Sequence, residues 1–365
     1  MWRAFGGVSA AAGALAYVYR PVGSGLTTRD CDAAQRTSGH ELSERASLPP
    51  AMQMMDCVPF PQLLYHVGQH LVVFSCTTVS RMFMYLGGRF HVKDDDHYAT
   101  FVARVRRRDP GVPLITVSNH RSMLDDPALM ASVLPLSMSY QPKYLRWGVC
   151  AQEFCFNANL PALVHAYCGL GKVLPIKRGA GIDQKALLTF ARRAAAGDWL
   201  HVFPEGGIWQ KPELGGRHNG RERDLGRLKW GVGKLIAHCP QQPVVIPFFH
   251  WGMEATMPQH PVTKELINKG VPVPGQNVDV RFGPELRFDD LIDAHERRHG
   301  RLWKYNASVD EDDDPDNFLA QWKSRPEDLE LYHKITTRIE DALNALNQES
   351  NLNHNLPPPS IIRKR

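Results

Sequence analysis

Val112–Val117 (VPLITV) runs directly into Ser118–Asp126 (SNHRSMLDD), and the reading of this stretch decides the fold. A continuous apolar run with β-branched side chains reads as a strand buried on both faces. The polar residues that follow at once belong to a loop at the end of that strand. Outward from it, Trp199–Phe203 (WLHVF), Val244–Phe249 (VVIPFF) and Val278–Phe282 (VDVRF) have the same character. Between the first two strands, Asp183–Ala196 puts Leu187, Phe190, Ala191 and Ala194 on one helical face, with Asp183 as cap and Gly197 as terminator. Between the second and third, Leu228, Val232, Leu235 and Ile236 recur at helical spacing. Strands alternating with helices imply an α/β domain with a central, mixed or largely parallel sheet flanked by helices. Near the C-terminus, Ser324 and Glu327 make a capping box around Pro326, and Leu331, Ile335, Ile339, Ala342 and Leu346 form the stripe of a last helix.

The 365 residues, 43% apolar and 22% charged, exclude a wholly disordered chain, a collagen-like repeat and a small disulfide scaffold. Lys+Arg 43 against Asp+Glu 38 leaves a net charge of +5. That suits anionic lipid or phosphate ligands and is too small for a nucleic-acid-binding surface, so no nucleic-acid partner is expected. The seven cysteines show no CxxC. The spacing of Cys150 and Cys155 fits neither a zinc finger nor a redox pair, so a reduced or loosely oxidising compartment and no metal site are expected. The first 29 residues contain Arg3, Arg20 and Arg29 and no acid, which reads as a mitochondrial targeting segment over residues 1–30, a secretory signal being second. Residues 31–57 read as a linker, 58–347 as the folded domain and 348–365 as a disordered basic tail. The acidic run Asp310–Asp316 reads as a solvated loop. Leu63–Val79 is short for a spanning helix and carries His66, Gln69 and His70. It reads equally as an interfacial membrane helix, with Arg81 and Arg89 as flanking cations, or as a buried core helix, with spanning third.

Three strand ends carry polar residues that core packing does not request. In the first, His120 and Asp125 lie five apart and share no face of a regular helix. They meet if His120 sits on the loop leaving the strand and Asp125 in the first turn of the next helix. An Asp holding one ring nitrogen leaves the other free as a base. The second is Phe203–Gly207 (FPEGG), where glycines permit close backbone approach and Glu205 accepts ligand hydroxyls. The third is Gly171–Gly179, where Arg178 suits bidentate phosphate recognition. Taken singly, each has a plainer reading: Asp125 a cap, Glu205–Gly206 a turn, Arg178 a solvated turn residue. No GxSxG elbow, Walker A or dinucleotide glycine pattern occurs, and His66 and His70 lack the Glu of HExxH. Arg104–Arg108 (RVRRR) reads as a solvated helix face, with anionic headgroups as the alternative.

Together these residues resemble the glycerolipid acyltransferase superfamily. Asn119, His120, Ser122 and Asp125 match its first motif, Arg178 the end of its second, Phe203–Gly206 its third and Val245–Pro247 its fourth. Longer runs, PLITVSNH at 113–120, GDWLHVFPEG at 197–206, RLKWGVGKLI at 227–236 and HWGM at 250–253, resemble one branch of it. The resemblance covers roughly residues 62–290. Lys211–Asp224 is longer and more basic than that pattern, and the 60-residue start and acidic segment depart from it. The resemblance implies a single acyltransferase-like domain that exchanges acyl chains between phospholipids and lysophospholipids at a membrane surface, without CoA or other cofactor. Cardiolipin and monolysocardiolipin are the implied principal pair, with phosphatidylcholine as a further partner, at inner and outer mitochondrial membranes facing the intermembrane space. It makes His120 the base and Asp125 its orienter. Asn119 and Ser122 become substrate-binding, with the Asn119 amide or the backbone N–H groups after His120 at the oxyanion. Arg178 takes phosphate, Pro204, Glu205 and Gly206 place the glycerol, and Arg227 and Lys229 meet headgroups. An acyl-CoA-dependent lysophospholipid acyltransferase and a non-catalytic membrane scaffold are the alternatives.

Overall fold

The computed structural model describes residues 61–157, 159–210, 228–260, 263, 265–268, 270–305 and 320–353. The targeting segment, the linker, the basic insertion at 211–224, Arg227, the acidic run at 310–316 and the last twelve residues lie outside them. Among the described residues there are seven strands: β1 (Phe90–Val92), β2 (Leu114–Ser118), β3 (Gly148–Ala151), β4 (Val173–Ile176), β5 (Trp199–Val202), β6 (Val244–Trp251) and β7 (Val278–Phe282). The main sheet has the order β1-β7-β6-β2-β5. Its pairs are parallel except β6 with β7. The sheet is therefore mixed, as the alternation of strands and helices implies. The buried stretch at 112–118 earns its apolarity by position: β2 is central, and every residue from Leu114 to Ser118 is buried.

Side chains alternate between two cores, as the pleat requires. Leu114, Trp199, Ile246 and Phe248 face one, with Phe101, Val105 and Phe282; Ile115, Val117, Leu200, Val245 and Phe249 face the other. On the first side Phe101 stacks on Phe282 at 4.3 Å and meets Trp199 edge-on at 5.6 Å. Each such ring removed from water is worth about 1.5–3 kcal/mol. The longer helices are α1 (Pro61–Tyr85), α2 (Asp96–Arg106), α3 (Ala162–Leu170), α4 (Lys185–Ala195), α5 (Gly231–Ala237), α6 (Asp289–His299) and α7 (Pro326–Asn353). Helices α4, α5 and α7 cover the second core through Leu187, Phe190, Val232, Leu235, Ile335 and Ile339. The last helix runs six residues past position 347.

The parallel pair β3–β4 forms a small second sheet. Trp147, just before β3, joins it to the main one by donating its N–H to Trp199 O (2.7 Å) and accepting from His201 N (2.8 Å). Because β2, β5 and β6 are parallel, and β3 and β4 follow β5 in the same sense through the Trp147–Leu200 bridge, their C-terminal ends share one edge. The segments after Ser118, Ile176, Val202 and Trp251 thus emerge together, at the edge where open α/β sheets place their sites.

Two helix starts differ from their sequence reading. Gln184, not Asp183, occupies the N-cap of α4. Asp183 serves Lys234 instead, a side chain with 0% exposure whose Nζ lies 2.5 Å from Asp183 Oδ1 and also donates to Trp322 O. A buried ammonium left unpaired is far costlier than an uncapped helix. Ser324 is drawn into the same cluster, its Oγ donating to Asp183 at 2.6 Å and accepting from Lys234 Nζ at 3.1 Å. Gly197 ends α4 as expected, with φ +78° and a Cβ position only 2.9 Å from Gly111 N.

Helices α5 and α7 touch at Gly233, where a Cβ would stand 2.4 Å from Tyr332 O and 2.9 Å from its Cα. Gly233→Ala is expected to lower stability by about 1–3 kcal/mol through overpacking. Gly231→Ala, whose Cβ meets only Leu187 at 3.6 Å, should be neutral or stabilising by up to about 1 kcal/mol. Urea midpoints of the two variants decide it.

Candidate active site

The chain leaves β2 at Ser118, and His120 stands on the loop with Asp125 opening the short helical turn Asp125–Leu129. Nδ1 of His120 lies 2.9 Å from Asp125 Oδ2. The same oxygen accepts the backbone N–H of Arg121 at 2.6 Å and of Ser122 at 3.0 Å. Three donors converging on one carboxylate oxygen favour its charged form. Asp125 has 0% exposure, whereas the His120 side chain keeps 19%. An ionised carboxylate only accepts, so Nδ1 carries the proton and Nε2 keeps its lone pair. No hydrogen bond to Nε2 occurs among the described residues. The ring stacks on Phe203 at 4.2 Å and 18°. Its backbone N–H donates to Glu205 Oε1 at 2.8 Å, so the third motif holds the first.

Asn119 and Ser122 act on the loop and not on the open side. The Asn119 amide donates to His250 O (2.9 Å) and accepts from His250 N (3.0 Å), clipping the end of β2 to the end of β6. Ser122 Oγ pairs with Thr256 Oγ1 at 3.0 Å and accepts from Leu124 N. Both residues have 0% exposure. These bonds bear on the oxyanion roles expected of the Asn119 amide and of the N–H groups after His120. The amide is consumed by His250, and the N–H groups of Arg121 and Ser122 are consumed by Asp125.

Sequence reasoning assigned no role to His250 or His201. His250, with 0% exposure, faces the same carboxylate oxygen, its Nε2 3.6 Å from Asp125 Oδ2. His201 lies beneath the pair, with Nδ1 2.9 Å from Thr116 Oγ1 and its ring edge-on to Phe203 at 4.4 Å. The available signal was their place in the strands: each polar ring sits within an apolar run two residues from an aromatic one. Burial drives the pKa of His201 well below the usual range and lowers that of His250, so both rings are neutral. Burial also raises the Asp125 pKa, but the neighbouring His250 and His120 and the Ser122 N–H outweigh it and hold the carboxyl below its ordinary value.

The other expected residues divide. Glu205 is 9% exposed and joined to the His120 loop. Gly206 has φ +67°, and its Cβ position is 2.9 Å from Lys229 Cγ, so only glycine lets Lys229 lie across this turn. Lys229 N donates to Pro204 O at 2.7 Å. The third motif and Lys229 therefore form one unit beside His120. Arg178 stands apart, beyond the end of β4. Three strand spacings separate β4 from β2, about 14 Å. Its Nε lies 3.3 Å from Glu153 Oε1 and its guanidinium is 4.8 Å from the Phe154 ring centroid, on a side chain 51% exposed. Arg227 is outside the described residues.

Cys150 and Cys155 are joined in a disulfide, a pairing that their spacing did not announce and that agrees with the loosely oxidising half of the expectation. β3 turns straight into the helical turn Gln152–Cys155, and this brings the two sulfurs together while presenting Glu153 and Phe154 to Arg178. Cys76, Cys168 and Cys239 are free. Among the described residues no group of His, Cys, Asp and Glu is arranged to hold a metal ion.

Residues 100–251 match the family model described as Acyltransferase. An N-acylphosphatidylethanolamine synthase from Arabidopsis thaliana is 37% identical over 194 residues, 52% of this chain and 61% of that protein. A tafazzin from Drosophila melanogaster is 31% identical over 270 residues, 68% of this chain and 65% of that protein. A taffazin from Dictyostelium discoideum is 32% identical over 235 residues, 63% of this chain and 70% of that protein. The chain thus spans between 61% and 70% of the length of these three relatives.

Removing the Asp125 carboxylate strands the buried N–H groups of Arg121 and Ser122. Asp125→Ala is expected to cost at least about 1–3 kcal/mol at pH 7. A carboxyl held below its ordinary value contributes stability above the unfolded-state pKa of about 4, and loses it as pH falls through the folded value. The gap between wild type and Asp125→Ala should therefore narrow below about pH 4, as read from denaturant midpoints at pH 7, 5 and 3.5.

Proposed function

We propose, from the premise that this chain belongs to the tafazzin family of acyltransferases, that it transfers acyl chains between phospholipids and lysophospholipids by general-base catalysis. The observation that carries this reading is the His120–Asp125 contact of 2.9 Å, with Nε2 as the ring's remaining base. In the reaction, Nε2 takes the proton of a lysolipid hydroxyl as its oxygen attacks the donor ester carbonyl. Collapse of the tetrahedral oxyanion expels the donor glycerol oxygen, which recovers the proton from the imidazolium. Asp125 holds the tautomer and stabilises that imidazolium. A base so placed contributes about 10²–10⁴ in rate. One ester breaks and a similar one forms, so the exchange is near thermoneutral and needs no activated donor. Direct transfer is favoured over an acyl-enzyme because neither a GxSxG serine nor an activated cysteine adjoins His120 among the described residues; burial pushes Cys168 up to about 12 and Cys239 up to about 11.

Cardiolipin and monolysocardiolipin are the proposed principal pair, with phosphatidylcholine as donor. Arg178 takes phosphate: its contact with Glu153 is an exposed ion pair worth about 1 kcal/mol or less, which a lipid phosphodiester anion displaces. Glu205, Gly206 and Lys229 border the glycerol and headgroup. We place the enzyme on mitochondrial membranes, held by α1. No helix among the described residues is long and apolar enough to cross a membrane. Helix α1 instead buries Val72, Val73 and Met84 and exposes Leu63, Val67, Phe74 and Met82, the last two at 60% and 62%. Such a divided helix supports lying in an interface. The flanking cations expected there are engaged elsewhere: Arg81 donates to Leu134 O and Ser139 Oγ, and Arg89 pairs with Asp279.

A second reading comes from the 37% identical relative, whose name specifies an amide product. The same base would then deprotonate an amine acceptor.

Purified enzyme given labelled phosphatidylcholine and monolysocardiolipin in mixed vesicles, without CoA, is expected to form labelled cardiolipin. An alkali-stable N-acyl product from phosphatidylethanolamine would favour the second reading, and strict dependence on acyl-CoA would refute CoA-independent transfer. His120→Ala should lose about 10²-fold or more in rate. Arg178→Ala should raise KM for the lysolipid with little change in kcat.

A further inference from the structure

His250 is a second imidazole beside Asp125, and the general-base reaction leaves it without a task. Its ring is fixed by one acceptor. Nε2 lies 2.9 Å from Asn119 O, and a carbonyl only accepts, so Nε2 carries the hydrogen. Nδ1 is then an unprotonated lone pair, and it is buried without a hydrogen-bond partner. A proton there would be an unsatisfied buried donor, so the ring stays neutral. The Nε2–H lies between two acceptors: Asn119 O, and the Asp125 Oδ2 oxygen 3.6 Å away. That second separation is beyond a hydrogen bond, though short enough for the N–H dipole to act on the carboxylate charge. The backbone of His250 is itself held by both atoms of the Asn119 amide. One residue on β6 thus grips the peptide immediately before His120 and faces the carboxylate that orients it.

We infer that His250 is a positioning residue, a neutral N–H donor that fixes the Asn119–His120 peptide against Asp125 and moderates the carboxylate charge felt by the His120 imidazole. This rests on the reading of His120 as the general base. Other charged or titratable groups reach the ring as well. The charges of Arg121 and Glu254 act on it, and His201 approaches from β5. None of these is hydrogen-bonded to the His250 ring. Removing the Nε2–H while keeping an aromatic ring lets Asp125 act on His120 with its full charge. The imidazolium is then better stabilised and the free base appears only at higher pH. The base is also held less well, so kcat falls.

The test is the pH profile of kcat/KM for full-length enzyme transferring a labelled acyl chain from phosphatidylcholine to monolysocardiolipin in mixed vesicles. His250→Phe is expected to move the acid limb up by about half a unit or more and to lower kcat about 10-fold or more, with KM little changed. His250→Gln, whose amide N–H reaches the position of Nε2, should return both toward wild type. If His250→Phe does not fold, the same profile is read from His250→Asn, whose shorter amide falls short of Asn119 O. An acid limb that stays in place in a folded variant overturns the inference. So does a His250→Gln profile displaced as far as that of His250→Phe, or unfolding of both His250→Phe and His250→Asn, since the role would then be structural. Full transfer by His120→Ala would overturn the general-base reading and this inference with it. An unmoved limb with inactive His120→Ala overturns this inference alone.

Discussion

A carboxylate with no exposure to water, Asp125, is the constraint around which this site is built. Its oxygen gathers the His120 ring and two backbone N–H groups from the loop leaving β2. An ionised side chain in the interior is tolerated only when donors converge on it. Here those donors are the loop itself, so the need to satisfy the charge dictates the loop's path. Fixing the loop aims His120, and aiming His120 is what an acyl-transfer base requires. The surrounding strands then supply only what this arrangement demands: Asn119 ties β2 to β6, Glu205 ties the β5 end to the His120 N–H, and Phe203 closes one face of the ring.

The position of the site follows from sheet topology. β2, β5 and β6 are parallel neighbours, so three loops far apart in the chain open on one edge. Arg178, at the end of β4, opens on the same edge about 14 Å away, a separation that under the proposed reading suits a headgroup and not the reacting ester. A lipid lying along that edge would place its phosphate and its ester on different strands. Under the proposed reading an acyl group exchanged there need not leave the bilayer, which fits a helix α1 that divides its apolar surface between the core and the exterior.

Much of this was legible in the residues. β2, β5, β6 and β7 stand out because strands of a covered sheet are continuous apolar runs. The His120–Asp125 pairing followed because a five-residue spacing joins a loop to the next helical turn. What stayed hidden has a common physical cause. β1, β3 and β4 are three or four residues long, too short for a period to show. The partners of Asn119, Asp183 and Ser324 lie 131, 51 and 141 residues away or at the same remove, and no local spacing encodes such contacts. Asp183 looked like a cap because a cap is what a local reading offers an acid before a helix; a buried lysine claimed it. The Cys150–Cys155 bridge depends on a strand turning without a loop into a helical turn, which two cysteines five apart do not announce.

The central claim is that His120, held by Asp125, activates the acceptor for direct transfer from donor to acceptor within one complex. The initial-velocity pattern with both lipids varied in mixed vesicles tests it most directly. Direct transfer predicts double-reciprocal lines that intersect, because donor and acceptor must be bound together. Parallel lines would contradict it, since they require the acyl chain to reside covalently on the enzyme between the two half-reactions.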